Sequence, residues 1–538
     1  MQIDLTLPPA ARGLFTATLQ RIAAERVVER VWARDASVWH PSAATQARIR
    51  ERLGWLDLPR DPRGDPALQR WLAQLPGSCD ALFVAPGAAQ SSIRLWRDLA
   101  AAPERRLALL DTIDPAAAQA TLSALDWSRT ALVLAATELT PELESLASLA
   151  LAERPPAAAP VTLITAAESD VAQRYRSMAR VAEQAQLIDV PADLGERFGT
   201  LSALGLTAAA LAGYDLDRLV SAALLMRAAC QQSSDLHQNP GALLGALLGA
   251  LAQHGRDKLT VLAPPALAPL SDWIASFVAA SLGKHGRGFV PISAEPWIAP
   301  AGYRTDRGFV ALRLAEAPNA ALDQQIGALR EAGQAVVVLT LPDRADVAAH
   351  VLCWQVAVAV AASIIGVNPF DEPDTAAMRA FIARRVRDPQ PMPDVLPDAT
   401  DLVESARAAL PLLRRANWVA LASYLPPSDE QEDALAALRR LLLRRAGLST
   451  VVVHPLRDHA YSVQLLHAGR SDGVVLALLP RSSSAPNEEI VASLHTLCRT
   501  RMAVELGAWR RMGRTAIAVE LDGAAGLRAF GAELDRLL

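Results

Sequence analysis

Short apolar runs alternate with longer amphipathic segments along most of the chain. The runs are rich in Val, Leu, Ile and Ala, which is typical of strands buried on both faces of a parallel sheet. Because strands and helices alternate at this spacing, the pattern predicts a doubly wound α/β fold. The predicted strands are 82–85, 107–110, 131–135, 161–164, 187–190, 259–262, 289–292, 309–312, 336–339, 418–422, 450–453, 473–479 and 515–519.

The spacing of the predicted strands divides the chain into several units. Apolar positions over residues 13–35 recur at helical spacing and predict one amphipathic helix. The predicted units are a helical N-terminal segment at 1–74, a first α/β domain with a helical extension at 75–255, a second α/β domain at 256–387, a Pro-rich linker and helix at 388–414, and a smaller C-terminal α/β unit at 415–538.

The stretch 256–291 predicts a strand, a helix and a second strand, with the glycine-rich basic loop 283–288 before the second strand. Crossovers of this kind carry ligand sites where loops leave the strand ends. Lys284 and His285 in the loop are therefore candidate anion-binding residues. A solvated loop without a ligand is an equal alternative.

Composition and charge limit the kinds of partner. The chain has 538 residues, of which 20% are charged, and a net charge of -4, so there is no electrostatic case for nucleic acid or an anionic membrane. The four cysteines lack metal-ligand spacing and predict reduced thiols in a cytoplasmic protein. The N-terminus lacks a signal-peptide pattern, and the longest apolar runs fall short of the ~20 residues of a membrane helix. No zinc, P-loop or nicotinamide signature is present, so we expect no metal and no cofactor.

Four further residues are candidates for chemistry. Gly87 begins a small-residue turn after a predicted strand, which could hold a phosphate on backbone N–H groups or simply be a turn. Arg197 precedes an apolar helix, and it either faces a cleft between domains or forms an ion pair at the surface. His459 and His467 lie near the C-terminus and are either catalytic or structural. These residues alone indicate a multidomain α/β protein with a candidate anion site.

Several motifs in order resemble the glucose-6-phosphate isomerase family, specifically the isomerase half of bacterial transaldolase–isomerase fusions. The resemblance covers most of the chain and implies two tandem sugar-isomerase (SIS) domains of flavodoxin-like type, each with a parallel five-stranded sheet. The motifs that carry it are RVWARDASVWH, LLDTIDPAA, ALGLTAAALAGYDLDRL, SLGKHGRGFVP, GVNPFDEPD and ALASYLPP.

The resemblance also implies a reaction and a set of site residues. The family interconverts glucose 6-phosphate and fructose 6-phosphate, in glycolysis and gluconeogenesis, through an enediol. Its glutamate base stands at the position of Ala280 here. Its arginine falls on Arg197, its active-site lysine on Arg379, and its ring-opening histidine on His459 or His467.

The family's phosphate loop is changed as well. Residues 135–142 lack most of the hydroxyl groups and the glycine of that loop, and Glu138 and Glu142 would repel a phosphate. The implied substrate-binding residues are Gly87, Thr140, Lys284 and His285.

Two functions stay open on the sequence. The first is a pseudoenzyme that binds a phosphosugar or serves regulation or assembly, since losing a general base typically costs roughly 10²–10⁴-fold in rate. The second is an active aldose–ketose phosphosugar isomerase in which Glu196, beside Arg197, is the substitute base. A transaldolase half would need ~250 residues upstream, so we expect the isomerase half alone. A homodimer or an association with a transaldolase is expected by analogy only.

Overall fold

The structure is a computed structural model, and its described residues form three α/β units. Described are residues 2–60, 66–75, 79–100, 105–155, 161–178, 185–387, 401–458, 461, 463–481 and 489–538. The strands are β1 (Gln2–Thr6), β2 (Asp80–Val84), β3 (Leu107–Leu110), β4 (Thr130–Ala135), β5 (Thr162–Thr165), β6 (Gln186–Asp189), β7 (Lys258–Leu262), β8 (Val290–Ile292), β9 (Arg307–Leu314), β10 (Ala335–Leu341), β11 (Trp418–Ser423), β12 (Ser449–Val453), β13 (Gly473–Pro480) and β14 (Thr515–Leu521). The helices are α1 (Pro9–Ala24), α2 (Val27–Trp32), α3 (Ala43–Arg50), α4 (Pro66–Gln74), α5 (Ala89–Leu99), α6 (Pro115–Ser123), α7 (Pro141–Glu153), α8 (Asp170–Arg176), α9 (Ala203–Leu211), α10 (Leu216–Gln231), α11 (Pro240–Gln253), α12 (Ala268–Leu282), α13 (Ala320–Glu331), α14 (Val347–Ile365), α15 (Pro373–Arg387), α16 (Leu402–Leu413), α17 (Asp429–Ala446), α18 (Glu489–Arg511) and α19 (Gly523–Leu537).

The strands form three sheets. The first has the order β3-β2-β4-β5-β6 and is parallel throughout. The second has the order β1-β10-β9-β7-β8, with only β1 antiparallel. The third and smaller sheet, β12-β11-β13-β14, is parallel. The predicted α/β class, with two tandem SIS-type sheets and a smaller C-terminal unit, is confirmed, and each predicted strand is present to within two residues.

The segment 1–74, predicted as helical, begins with the strand β1, so the prediction is wrong at its start. β1 pairs antiparallel with β10 at the edge of the second sheet, where Ile3 lies opposite Leu339. Ile3 and Leu5 pack against the core, and Pro8 follows shortly after the strand. An alternation of only five residues is too short to distinguish a strand from a turn. The second sheet therefore has one antiparallel edge strand, whereas the family resemblance implied an all-parallel sheet.

The single helix predicted over 13–35 is two helices, α1 and α2. α1 ends at Ala24, and Arg26 adopts a left-handed conformation with φ 52°, which breaks the helix. After the break, Val27 and Val28 are buried in the core. Apolar positions continue at helical spacing across the break, which is why the pattern predicted one helix.

Buried helices form the centre of the molecule. α14 packs against α10 and α11, and a Cβ on Gly245 of α11 would lie 2.7 Å from the carbonyl oxygen of Ala357, so the two backbones touch only because Gly245 has no side chain. The segments Pro265–Leu282 and Arg344–Ile365 have the length and apolar composition to cross a membrane. They are 67% and 94% buried within the fold, and the core helices of soluble proteins pass the same test.

The crossover predicted over 256–291 is present as β7, α12 and the parallel strand β8. Ala280 lies in the last turn of α12, beside the loop that follows β2. The 3₁₀ turn Glu196–Leu201 and the loop before α15 meet the same place. The fold thus gathers the family's site positions at one junction.

Candidate functional site

The carboxylate of Glu196 lies where the loops after β2 and β4 meet. Its Oε2 accepts a hydrogen bond of 2.9 Å from the backbone N–H of Ala88, and its Oε1 accepts one of 2.9 Å from the backbone N–H of Thr137. Gly87, at φ 142°, leaves room for the carboxylate, because a Cβ there would lie 3.0 Å from Oε2. Two backbone N–H groups that converge on one carboxylate form an anion site. The chain fills this site with its own side chain.

Arg379 lies on the other side of this carboxylate. A Cβ on Gly87 would lie 3.9 Å from Nη2 of Arg379, so the guanidinium is close to the same glycine. Desolvation of Glu196 raises the pKa of its carboxyl above the usual value. Nη1 of Arg379 donates to Glu138 at 2.9 Å, and Arg52 donates to the same carboxylate at 3.3 Å. The guanidinium at the family's lysine position is therefore paired within the chain.

Arg197 braces the last turn of α12 against the loop before α15. It donates to the carbonyl oxygen of Ala280 and, at 3.1 Å, to that of Asp371. Its Nε lies 3.2 Å from Glu372 Oε1, and its side chain is 7% exposed. Burial alone would raise the pKa of Glu372, but the positive charge of Arg197 holds it below its usual value. Both charges are thus compensated within the protein.

Lys284, directly after α12, is buried in the same loop contact. Its Nζ donates to the carbonyl oxygen of Asn368 and to the carbonyl and carboxylate oxygens of Asp371, the latter two at 2.6 Å and 2.7 Å. Burial, and then the charge of Arg197, lowers the pKa of Lys284 to about 8. An ammonium has three N–H donors, so none is left for a ligand. His285 is exposed on the following turn, at φ 54°.

The loop after β4 receives a side chain from the C-terminal unit. Arg501 of α18 is buried and lies 2.9 Å from Glu142 Oε1 and 3.0 Å from Glu505 Oε1. The hydroxyl of Tyr424 donates to Glu505 at 2.5 Å. Thr140 caps the first turn of α7 with its hydroxyl oxygen. Glu142, which the sequence analysis expected to repel a phosphate, forms a buried ion pair with Arg501, and it shares this cation with Glu505.

His467 is packed inside the C-terminal unit. Its Nε2 accepts a hydrogen bond of 3.0 Å from Trp509 Nε1, and its carbonyl oxygen accepts one from Arg514. Burial lowers the pKa of His467 to about 4, so the ring is neutral at pH 7. These contacts correspond to the structural alternative for this histidine. His459, the other candidate, lies outside the described residues.

Glu196 and its neighbours separate three cavities. A cavity of about 370 Å³ has Glu196, Arg197 and Arg379 in its wall, together with residues of α3. Gly87 and Ala280 instead line a cavity of about 20 Å³, and Gly87 also borders one of about 10 Å³. Spaces of this size hold about one water molecule. Within the described part of the chain, no cluster of three His, Cys, Asp or Glu side chains could hold a metal ion.

The chain is similar in sequence to proteins named as one kind of sugar isomerase. A probable glucose-6-phosphate isomerase of Haloquadratum walsbyi is 32% identical over 193 residues, which are 35% of this chain and 43% of that protein. The glucose-6-phosphate isomerase of Synechococcus elongatus is 28% identical over 293 residues, which are 47% of this chain and 52% of that protein. These matches support the assignment of the chain to the glucose-6-phosphate isomerase family. The chain spans about half the length of these curated relatives, and no family model matches it.

The fold is similar to that of a solved glucose-6-phosphate isomerase. The crystal structure of a glucose-6-phosphate isomerase from Chlamydia trachomatis superimposes with a TM-score of 0.53, over 70% of this chain and 86% of that chain. At 15% sequence identity this likeness shows the fold alone.

The structure brings together a subset of the residues that the sequence singled out. These are Gly87, Glu196, Arg197, Arg379 and the base position Ala280. Thr140 lies near them in the wall of the cavity of about 10 Å³. Lys284 is buried by its own partners, and His467 is packed elsewhere.

Sequence reasoning missed two partners that decide the electrostatics of this junction. Glu372 pairs with Arg197. It lies in the motif GVNPFDEPD, so the motif itself offered this carboxylate as a candidate partner for the arginine. Arg501 pairs with Glu142 from 359 positions away, and no local pattern indicates that contact.

Proposed function

We propose that this glucose-6-phosphate isomerase homologue has lost isomerisation and works as a binding, regulatory or assembly protein. The observation that carries the proposal is the carboxylate of Glu196, which accepts the backbone N–H groups of Ala88 and Thr137 at 2.9 Å each. In the family resemblance, these two loops hold the phosphate. A substrate phosphate would have to displace a carboxylate that is always present at high effective concentration.

The missing base adds to this loss. Ala280 has no group that can take a proton from carbon, and removing a general base typically costs roughly 10²–10⁴-fold in rate. Without the phosphate subsite, the binding energy that would orient the sugar is lost too. A phosphosugar that still binds would use the cavity of about 370 Å³, on the far side of Glu196. There the guanidiniums of Arg197 and Arg379 already pair with carboxylates.

An active aldose–ketose phosphosugar isomerase with a rebuilt site is the second candidate. The raised pKa of Glu196 favours it, because a general base works best when its pKa approaches the working pH. Against it, both carboxylate oxygens of Glu196 already accept backbone hydrogen bonds.

A coupled assay with fructose 6-phosphate separates the two candidates. We expect no turnover above background for the purified full chain. The matched variant is Glu196→Gln, which keeps the side-chain volume and removes the charge. Turnover in the parent chain that disappears in Glu196→Gln would establish the rebuilt isomerase and overturn the proposal. The same thermal unfolding midpoint for both proteins ensures that a loss of turnover does not reflect unfolding.

A further inference from the structure

A cleft of about 420 Å³ lies between the three α/β units, and we call it the three-unit cleft. Its wall is built from α5, the first half of α12 and the loop after β8, closed by α17 and the loop after β12. Its volume falls within the roughly 300–1,000 Å³ of small-molecule sites. Glu196, Arg379 and Ala280 are not in its wall. The cleft nevertheless adjoins the Glu196 junction, which we define as Gly87, Glu196, Arg197, Ala280 and Arg379, because Ser91, Ser276, Asp458 and Tyr461 line both this cleft and the cavity of about 20 Å³ beside Ala280.

Three guanidiniums line the three-unit cleft, and the protein already engages each of them. Arg94 donates to the carboxylate of Asp111. Arg439 donates to two carbonyl oxygens of the loop after β8, at 2.9 Å and 2.8 Å. Arg457 lies 3.1 Å from Asp458 Oδ2. Few cationic donors are therefore left for an anionic ligand.

Four carboxylates line the same cleft, and two of them are not paired with a cation. Asp98 forms an ion pair with Arg97 at 2.6 Å, and Asp458 forms one with Arg457. Asp272 and Glu432 are exposed to the cleft, and no arginine or lysine among the described residues forms an ion pair with either. His454 lies 3.4 Å from Glu432, but burial lowers the pKa of this histidine to about 3, so it carries no charge at pH 7.

We propose that the three-unit cleft binds a small hydroxylated amine, with the ammonium on Asp272 and Glu432. The hydroxyl groups of Ser91, Ser276 and Tyr461 also line the cleft and can donate to or accept from ligand hydroxyls. The cleft therefore offers two carboxylates to an ammonium and three hydroxyl groups to ligand hydroxyls. This combination fits a small cation with several hydroxyl groups.

The electrostatics of the cleft favour a cation over a phosphorylated ligand. Burial raises the pKa of Asp272 and of Glu432; Asp458 raises both further, whereas Arg439 lowers both. The wall holds four carboxylates against three guanidiniums, so a cationic ligand balances its excess of negative charge. A phosphate would meet four carboxylates and three arginines that are already engaged. The inference does not depend on whether isomerase activity is lost, since Asp272 and Glu432, which would hold the ammonium, line none of the three cavities at the Glu196 junction.

Calorimetric titration with glucosamine and glucose tests the proposal. The two probes have the same ring and differ at one carbon, where glucosamine has an ammonium group and glucose has a hydroxyl group. We expect saturable binding of glucosamine to the full chain and binding of glucose that is about tenfold weaker or absent. Asp272→Asn and Glu432→Gln should each weaken glucosamine binding about tenfold. The matched control, Glu430→Gln, alters the same helix outside the cleft and should leave the affinity unchanged.

Three outcomes would overturn the proposal. Equal affinity for glucosamine and glucose would make the cleft a neutral sugar site. Glucosamine binding that survives both Asp272→Asn and Glu432→Gln would place the amine elsewhere. No saturable binding of glucosamine up to about 10 mM, a weak-binding limit, would show that the cleft does not bind a hydroxylated amine. Thermal unfolding midpoints of the variants check that the fold is kept.

Discussion

The Glu196 junction and the three-unit cleft treat charge in opposite ways. At the junction, the carboxylate of Glu196 takes the anion donors, and the guanidiniums of Arg197 and Arg379 are paired with carboxylates. In the three-unit cleft, Arg94 and Arg457 pair with carboxylates and Arg439 donates to carbonyl oxygens. Two carboxylates of this cleft, Asp272 and Glu432, form no ion pair with an arginine or lysine among the described residues. The first region is closed to anions by the chain itself, whereas the second is open to a cation.

Under the proposed function, the anion site is lost because a side chain of the chain itself occupies it, and not because its donors are deleted. The backbone donors of Ala88 and Thr137 are still in place, and one new carboxylate uses them. Arg501 of the C-terminal unit likewise forms an ion pair within the chain, with Glu142. The fold of the family is thus retained, while the charges at the site are balanced within the chain.

The largest effect is expected from removing the buried arginine of the junction. Arg501→Ala would leave the buried carboxylates of Glu142 and Glu505 without their cation, so we expect a loss of about 3–5 kcal/mol in the free energy of unfolding. Denaturant unfolding measures it. Arg536→Ala, which breaks an exposed pair with Glu533, is the matched control and should cost less than about 1 kcal/mol. Equal losses in the two variants would contradict the view that the junction is closed by buried charge pairs.

A pH dependence of stability is expected from Lys284. Its pKa is about 8 in the folded protein against 10.5 in the unfolded chain. The folded state binds fewer protons between these values, so stability rises as the pH rises from about 8 to 10.5, by at most about 3 kcal/mol. Lys284→Met should remove this rise. Lys258→Met is the control, because Lys258 and Lys284 are the only lysines of the chain. Parallel curves for the parent chain and Lys284→Met would show that Lys284 is not the source.

The smallest effect is expected from restoring the base alone. Ala280→Glu should give no measurable turnover of fructose 6-phosphate, because Glu196 still occupies the anion donors. The double variant Ala280→Glu with Glu196→Gly should show turnover above that of either single variant in a coupled assay. Activity in Ala280→Glu alone would show that the occupied donors are not an obstacle.

Much of the fold follows from the sequence, because buried parallel strands are continuous apolar runs that need no distant information. The exceptions have local causes. β1 is too short to give a clear period, and the left-handed Arg26 interrupts a helix without interrupting its apolar spacing.

The candidate site was only partly predictable. The family motifs singled out Arg197, Arg379 and Ala280, and the structure brings these three residues to one junction. The role of Glu196 depends on two backbone N–H groups from separate loops, and that of Arg501 on a contact across 359 positions. Neither leaves a pattern in the sequence, because side-chain spacing carries no information on which distant donors a carboxylate meets.

The affinity for fructose 6-phosphate of the parent chain and of Glu196→Gly tests the central claim most directly. Removing the side chain frees the N–H groups of Ala88 and Thr137 and opens the cavity of about 370 Å³ toward Gly87. Calorimetric titration should show a gain in affinity of about tenfold or more in Glu196→Gly. Glu144→Gln, which removes a partly exposed carboxylate of α7, should bind like the parent chain. Equally tight binding by the parent chain and Glu196→Gly would contradict the claim that Glu196 occupies the anion site.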